Sequence, residues 1–180
     1  MKRVLSLAIW VALFFFSISS RGQSPILDIG VRLQKTVNLY MENGVAARYS
    51  SPQLMYDKLY FGFTYFTSRL GTAWGTNAIK QDNILLSASY YIRKDKIIRP
   101  FAGVNVGYFH ASYEYKIFRD LDNQSVMLSP EFGINIDAPV PFKANVSFGY
   151  NLITGNGVNG AGTLYPLYVQ TTLLWRVLRK

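Results

Sequence analysis

Between Leu27 and Val177, in one run after another, apolar side chains recur at every second position, with mostly Gly, Ser, Asn or charged residues between them. Successive side chains of a strand point to opposite faces, so a period of two gives each set its own face. The first run sets Leu27, Ile29, Val31 and Leu33 against Asp28, Gly30, Arg32 and Gln34. A second strand is expected about Gly44 to Ser51. The third sets Leu59, Phe61, Phe63 and Tyr65 against Tyr60, Gly62, Thr64 and Phe66. In the fourth, Leu86, Ala88, Tyr90 and Ile92 oppose Ser87, Ser89, Tyr91 and Arg93. The fifth has Ala102, Val104, Val106 and Tyr108 on one side and Gly103, Asn105, Gly107 and Phe109 on the other. The sixth divides Val126, Leu128, Phe132, Ile134 and Ile136 from Ser129, Glu131, Gly133, Asn135 and Asp137. The seventh divides Phe142, Ala144, Val146, Phe148 and Tyr150 from Lys143, Asn145, Ser147, Gly149 and Asn151. The eighth divides Leu167, Val169, Thr171, Leu173, Trp175 and Val177 from Tyr168, Gln170, Thr172 and Arg176.

The connections alternate in kind. Short ones follow the second, fourth and sixth strands, at Pro52 to Tyr56, Lys94 to Ile98 and Ala138 to Pro141. Longer ones follow the third, fifth and seventh, at Leu70 to Asp82, Glu114 to Gln124 and Ile153 to Leu164. The first hairpin, around Glu42-Asn43-Gly44, carries the Asn-Gly signal of a tight type I′ turn. Short turns at one end and long loops at the other are the layout of outer-membrane barrels.

A soluble barrel would turn its apolar face inward, where space limits side-chain size and Gly would leave voids. Here the large residues share one face and the small and polar ones the other, which suits lipid outside and a narrow polar lumen inside. Outward Tyr65, Tyr90, Tyr150 and Trp175 lie toward strand ends, as an aromatic girdle requires. The expectation is an all-β fold: an eight-stranded antiparallel up-and-down transmembrane β-barrel. Charged residues are only 16% of the chain, against about 25% in an ordinary soluble domain.

Met1 to Gly22 reads as a secretory signal peptide. Lys2 and Arg3 give the basic start, Val4 to Ile18 the apolar stretch, and Ser20 and Gly22 the small residues before a cut at Gln23. No Cys follows, so a lipoprotein is not expected. The mature domain is Gln23 to Lys180. Its formal charge falls from +9 to +6, because Lys2, Arg3 and Arg21 leave without an acid. In an exported chain that balance favours anionic lipid headgroups over nucleic acid. The densest basic cluster, Arg93 to Arg99, is short and interrupted by Asp95.

On these strands and connections, the sequence resembles the small eight-stranded outer-membrane barrels of the OmpA transmembrane-domain and OmpX type. The resemblance spans Gln23 to Lys180. It implies a monomer delivered by the barrel-assembly machinery and lying among outer-membrane lipids and lipopolysaccharide. The chain runs on to Leu178-Arg179-Lys180 where that family ends in an aromatic residue. A peptidoglycan tether is not expected, since no wall-binding domain follows.

Little enzymatic chemistry is left open. Cys is absent and His110 is the one histidine, so neither a thiolate nor a histidine metal site is expected, and no cofactor. Gly155-Asn156-Gly157-Val158-Asn159-Gly160 matches a dinucleotide-loop spacing, but Ala161 to Pro166 cannot supply the helix that would hold phosphates. Asn123-Gln124-Ser125 and Asn145-Val146-Ser147 match a glycosylation sequon that means little in a bacterial-type barrel. His110, Ser112 and Glu114 share the outward face of the fifth strand near its long-loop end. A hydroxyl beside an imidazole with a carboxylate is the arrangement of an acyl hydrolase. His-x-Ser is similar to the spacing in PagL-type lipid A deacylases, which carry Asn where this chain has Tyr113.

Two further sets follow from the faces. Asp28, Arg32, Arg48, Arg93, Glu131, Asp137, Lys143 and Arg176 would point into the lumen, where opposite charges must pair. Lys35 and Arg69 on outward strand ends, with Lys116 and Arg119 in the next long loop, are candidate contacts for lipopolysaccharide phosphates. The expected role is therefore a plugged barrel acting in membrane integrity or surface interaction. The alternatives are a lipid A acyl hydrolase using Ser112 and His110, and a small pore.

Overall fold

The structure, a computed structural model, describes residues 25–36, 41–69, 79–93, 96–113, 123–153 and 166–179. Met1 to Gly22, Glu114, Lys116, Arg119 and the Gly155 to Gly160 motif lie outside the described residues.

Nine strand segments form one antiparallel sheet: β1 Ile26–Thr36, β2 Met41–Ser50, β3 Leu59–Thr67, β4 Ile79–Tyr91, β5 Ile98–Tyr113, β6 Gln124–Ile136, β7 Phe142–Tyr150, β8 Leu152–Ile153 and β9 Leu167–Arg179. β7 and β8 are one strand. Both keep the same register against β6, pairing Glu131 with Gly149 and Leu128 with Leu152. The interruption falls opposite Pro130, whose nitrogen has no hydrogen to give the ladder. Each strand pairs with its neighbours in sequence, and β1 pairs with β9. The result is the expected closed, eight-stranded up-and-down barrel.

Closure satisfies every ladder edge internally, which is what a strand-built protein needs in hydrocarbon. The outward faces are apolar: Val31, Phe63, Leu86, Val106, Phe132, Val146 and Leu173 are all exposed, Leu86 to 64%. A belt of that extent in water would far exceed the apolar patches that soluble monomers tolerate. Tyr65, Tyr108 and Tyr150 stand outward near the long-loop ends of β3, β5 and β7. Tyr90, Phe142 and Trp175 stand outward near the short-turn ends, with Phe142 and Trp175 edge to face at 4.3 Å. Tyr65, Tyr90, Tyr150 and Trp175 are the girdle residues that the sequence places, and Tyr108 and Phe142 add to them.

The second strand starts earlier than expected. Glu42, Asn43 and Gly44 are strand residues, paired with Gln34, Leu33 and Arg32. Asn43-Gly44 is therefore not a type I′ turn. Gly44 faces the lumen, where a Cβ would lie 2.1 Å from the Tyr65 carbonyl oxygen and 2.5 Å from the Phe66 Cβ. Glycine is required there by closeness of packing, not by turn geometry.

The core is the lumen, and it is filled. Tyr60, Tyr91 and Phe101 cluster near the short-turn end, and Phe66, Leu85 and Met127 higher up. The inward face is thus more aromatic than its Gly, Ser and Asn content alone suggests.

Candidate functional site

Two polar layers cross the lumen. The lower lies near the short-turn end. Asp28, fully buried on β1, accepts from Lys143 Nζ at 2.7 and 3.1 Å and from Arg48 Nη2 at 3.2 Å. Asp137 receives Arg176 Nη2 at 3.1 Å and Arg99 Nη1 at 3.0 Å. Arg48 also donates to the Tyr91 hydroxyl and to Asn135 Oδ1, the latter at 3.3 Å. Its guanidinium lies 4.8 Å from the Tyr60 ring centre and 5.4 Å from that of Tyr91. Ring faces attract a cation and the carboxylate holds its charge, so a buried guanidinium is tolerated here.

The upper layer is a relay of amides. Gln34 Nε2 and Asn83 Nδ2 donate to the two oxygens of Glu42 at 2.7 and 2.9 Å. Arg32 Nη2 reaches Gln34 Oε1 at 2.8 Å, and Gln81 Nε2 reaches Asn83 Oδ1 at 2.6 Å. Arg32 stacks 4.7 Å from the Phe66 ring centre. Glu131 accepts from Gln170 Nε2 at 2.8 Å. Between the layers a cavity of about 50 Å³ is lined by Arg32, Arg48, Glu131, Asn145 and Gln170. Arg48 Nε, Asn145 Oδ1 and Gln170 Oε1 have no partner among the described residues, and a polar space of this size can hold water.

Seven of the eight expected lumen charges thus face inward: Asp28, Arg32, Arg48, Glu131, Asp137, Lys143 and Arg176. Arg93 does not. β4 ends at Tyr91, and Arg93 lies two residues beyond it, exposed. Alternation fails as a guide once the ladder stops. Four network members lie where the sequence reading places no inward strand residue: Glu42 within the apparent Asn43-Gly44 turn, Gln81 and Asn83 before the expected start of the fourth strand, and Arg99 before that of the fifth.

At the long-loop rim, His110 and Ser112 are both exposed on the outward face of β5. Among the described residues no hydrogen bond joins them. Register sets Asp82 opposite His110 and Lys80 opposite Ser112. The Asp82 carboxylate is occupied by Arg69 Nε at 2.7 Å and the Tyr65 hydroxyl at 3.1 Å. Lys35 is exposed on β1 opposite Met41 of β2. Continuing the β2–β3 register by two residues brings Arg69 to the other side of Met41. Lys35 and Arg69 therefore share one level, about 10 Å apart across two interstrand spacings. Lys80 joins that row. In the sequence it falls within the long connection expected at Leu70 to Asp82, which β4 in fact enters at Ile79.

The barrel domain of Pseudomonas aeruginosa OprF is similar to this structure with a TM-score of 0.62 at 12% identity, covering 87% of this chain and 98% of that one. Neisserial surface protein A, NspA, is similar with a TM-score of 0.55 at 16% identity, over 87% and 97% of the two chains. The fold is that of an eight-stranded outer-membrane β-barrel. No family model and no curated protein matches the sequence. A de novo designed protein, TMB2.3, also resembles this barrel, with a TM-score of 0.50 at 15% identity over 88% and 98% of the chains. The barrel fold alone therefore assigns no role, and function must be argued from its sites.

Proposed function

We propose that the chain is exported, that Met1 to Gly22 is removed, and that Gln23 to Lys180 resides as a monomer in a bacterial outer membrane. There it acts through its surface, in membrane integrity or interaction, and not as a conducting pore. The observation that carries this reading is the filled lumen. An ion would have to break the Asp28–Lys143 and Asp28–Arg48 pairs and pass the Arg32–Gln34–Glu42 relay, because the space between them is only about 50 Å³. With short turns toward the periplasm, the row of Lys35, Arg69 and Lys80 meets the outer leaflet. Asp82 holds Arg69 through Nε, and among the described residues its two terminal nitrogens make no hydrogen bond and can meet a lipid A phosphate. Lys116 and Arg119, between β5 and β6 in the sequence, are counted with this row in the proposal.

The test has two readouts. Refolded barrel in planar bilayers should give no steady conductance, whereas discrete openings would establish the pore instead. Changing Lys35, Arg69, Lys116 and Arg119 together to Gln should lower the lipopolysaccharide retained on the purified barrel at low salt. High salt should weaken retention by the parent, because it screens surface attraction. Equal retention by both proteins would mean that the rim cations only reach the interface.

A further inference from the structure

The short-turn end of the lumen opens into a cavity of about 560 Å³, bordered by Tyr60, Arg99, Asp137 and Arg176. The charges at its rim and in the layer beneath it do not balance. Arg48, Arg99, Lys143 and Arg176 share two carboxylates, Asp28 and Asp137, an excess of two positive charges among the described side chains. Asp57 and Lys96 border the same cavity and add one charge of each sign.

The donors are also not used up. Arg99 gives Nε to the Lys96 carbonyl at 2.9 Å and Nη1 to Asp137, which fixes the guanidinium and leaves Nη2 without a hydrogen bond among the described residues. Arg176 gives Nη2 to Asp137. Its Nε is buried without a hydrogen bond among the described residues, 3.8 Å from Asp28 Oδ1. Two guanidinium groups anchored on one carboxylate thus border a single opening, and Arg99 Nη2 and Arg176 Nη1 make no hydrogen bond among the described residues. A guanidinium edge matches an oxyanion in both geometry and charge.

We propose that this mouth binds a dianionic oxyanion of the phosphate-monoester class, held by Arg99 and Arg176 above the fixed Asp28–Lys143–Arg48 floor. A phosphate monoester carries about −1.5 to −2 charges at neutral pH, which matches the excess of two. The cavity is much larger than a phosphate, so it leaves room for the small organic group that the phosphate carries. It opens along the barrel axis, away from the lipid face, and this favours a soluble phosphate over a lipid headgroup.

Calorimetric titration of the full barrel in nonionic detergent at low salt, with inorganic phosphate and then glycerol phosphate, tests the site. Saturable binding is expected for both, with chloride and acetate much weaker. Arg99→Gln and Arg176→Gln should each weaken phosphate binding about fivefold or more, the worth of one unit charge at contact distance in water. Asp137→Asn raises the excess to three and should tighten binding, a direction that damage to the fold would not produce. Phosphatidate in nanodiscs should not compete with glycerol phosphate; competition would assign the site to a headgroup and overturn the soluble ligand. Absence of saturable binding at millimolar phosphate, or looser binding in Asp137→Asn, would overturn the site itself.

Discussion

Asp28→Asn is the sharpest test of how the lumen holds the barrel together. The substitution keeps the shape of the side chain and one acceptor oxygen but removes the charge that Lys143 and Arg48 share at 2.7 and 3.2 Å. Lys143 is 1% exposed, and its next carboxylate, Asp137, is 3.9 Å away. Breaking a buried pair from one side costs about 3–5 kcal/mol, because the surviving charge stays buried. The open mouth beneath Asp137 lets water relax that charge in part, which points to the lower end of the range. About 3 kcal/mol is two orders of magnitude in the folding equilibrium. Urea unfolding of the barrel in lipid vesicles, followed by tryptophan fluorescence, should show the midpoint falling with the slope unchanged. Lys143→Met in the same background should restore much of the loss, since it removes the stranded cation. If the double variant is as unstable as the two single changes added together, the pair does not couple and the reasoning fails.

Phe63→Arg and Val146→Arg should each place a charge in mid-bilayer, costing roughly 2–4 kcal/mol and lowering the folded yield. Ser147→Ala, which removes a buried hydroxyl without a partner among the described residues, should leave that yield unchanged in the same refolding assay. For orientation, Cys at Ser112 should react with an impermeant maleimide on intact cells and Cys at Tyr56 should not; reversed labelling would invert the barrel. Incubation with lipopolysaccharide should release no fatty acid. Release that Ser112→Ala abolishes would instead establish the acyl-hydrolase alternative.

The barrel was legible because a transmembrane strand obeys one strict rule along its whole length. Phe63 and Thr64, or Val146 and Ser147, cannot exchange faces without placing a polar group in lipid. What escaped the sequence lay where that rule has competitors. Asn43-Gly44 carries a strong local turn signal, and only the nearness of Tyr65 and Phe66 across β3 shows what the glycine is for. Arg93 continued a parity that ended with the ladder at Tyr91. The members of the lumen network could be named from their face, but not their partners. Asp28 and Lys143 lie 115 positions apart, and their contact depends on barrel closure and stagger.

The two lumen layers differ in more than position. In the upper one, one cation, Arg32, stands with two carboxylates, Glu42 and Glu131, and most bonds run through neutral amides of Gln34, Asn83, Gln81 and Gln170. In the lower one, four cations crowd two carboxylates with few amides between them. Amide relays fix geometry without creating a field that reaches solvent, whereas an unbalanced set of charges near an opening does create one. A plug needs only the first kind of layer. The second, with its excess of charge and its spare guanidinium donors at an open mouth, is more than closing a lumen requires, and it is there that a ligand has something to recognise.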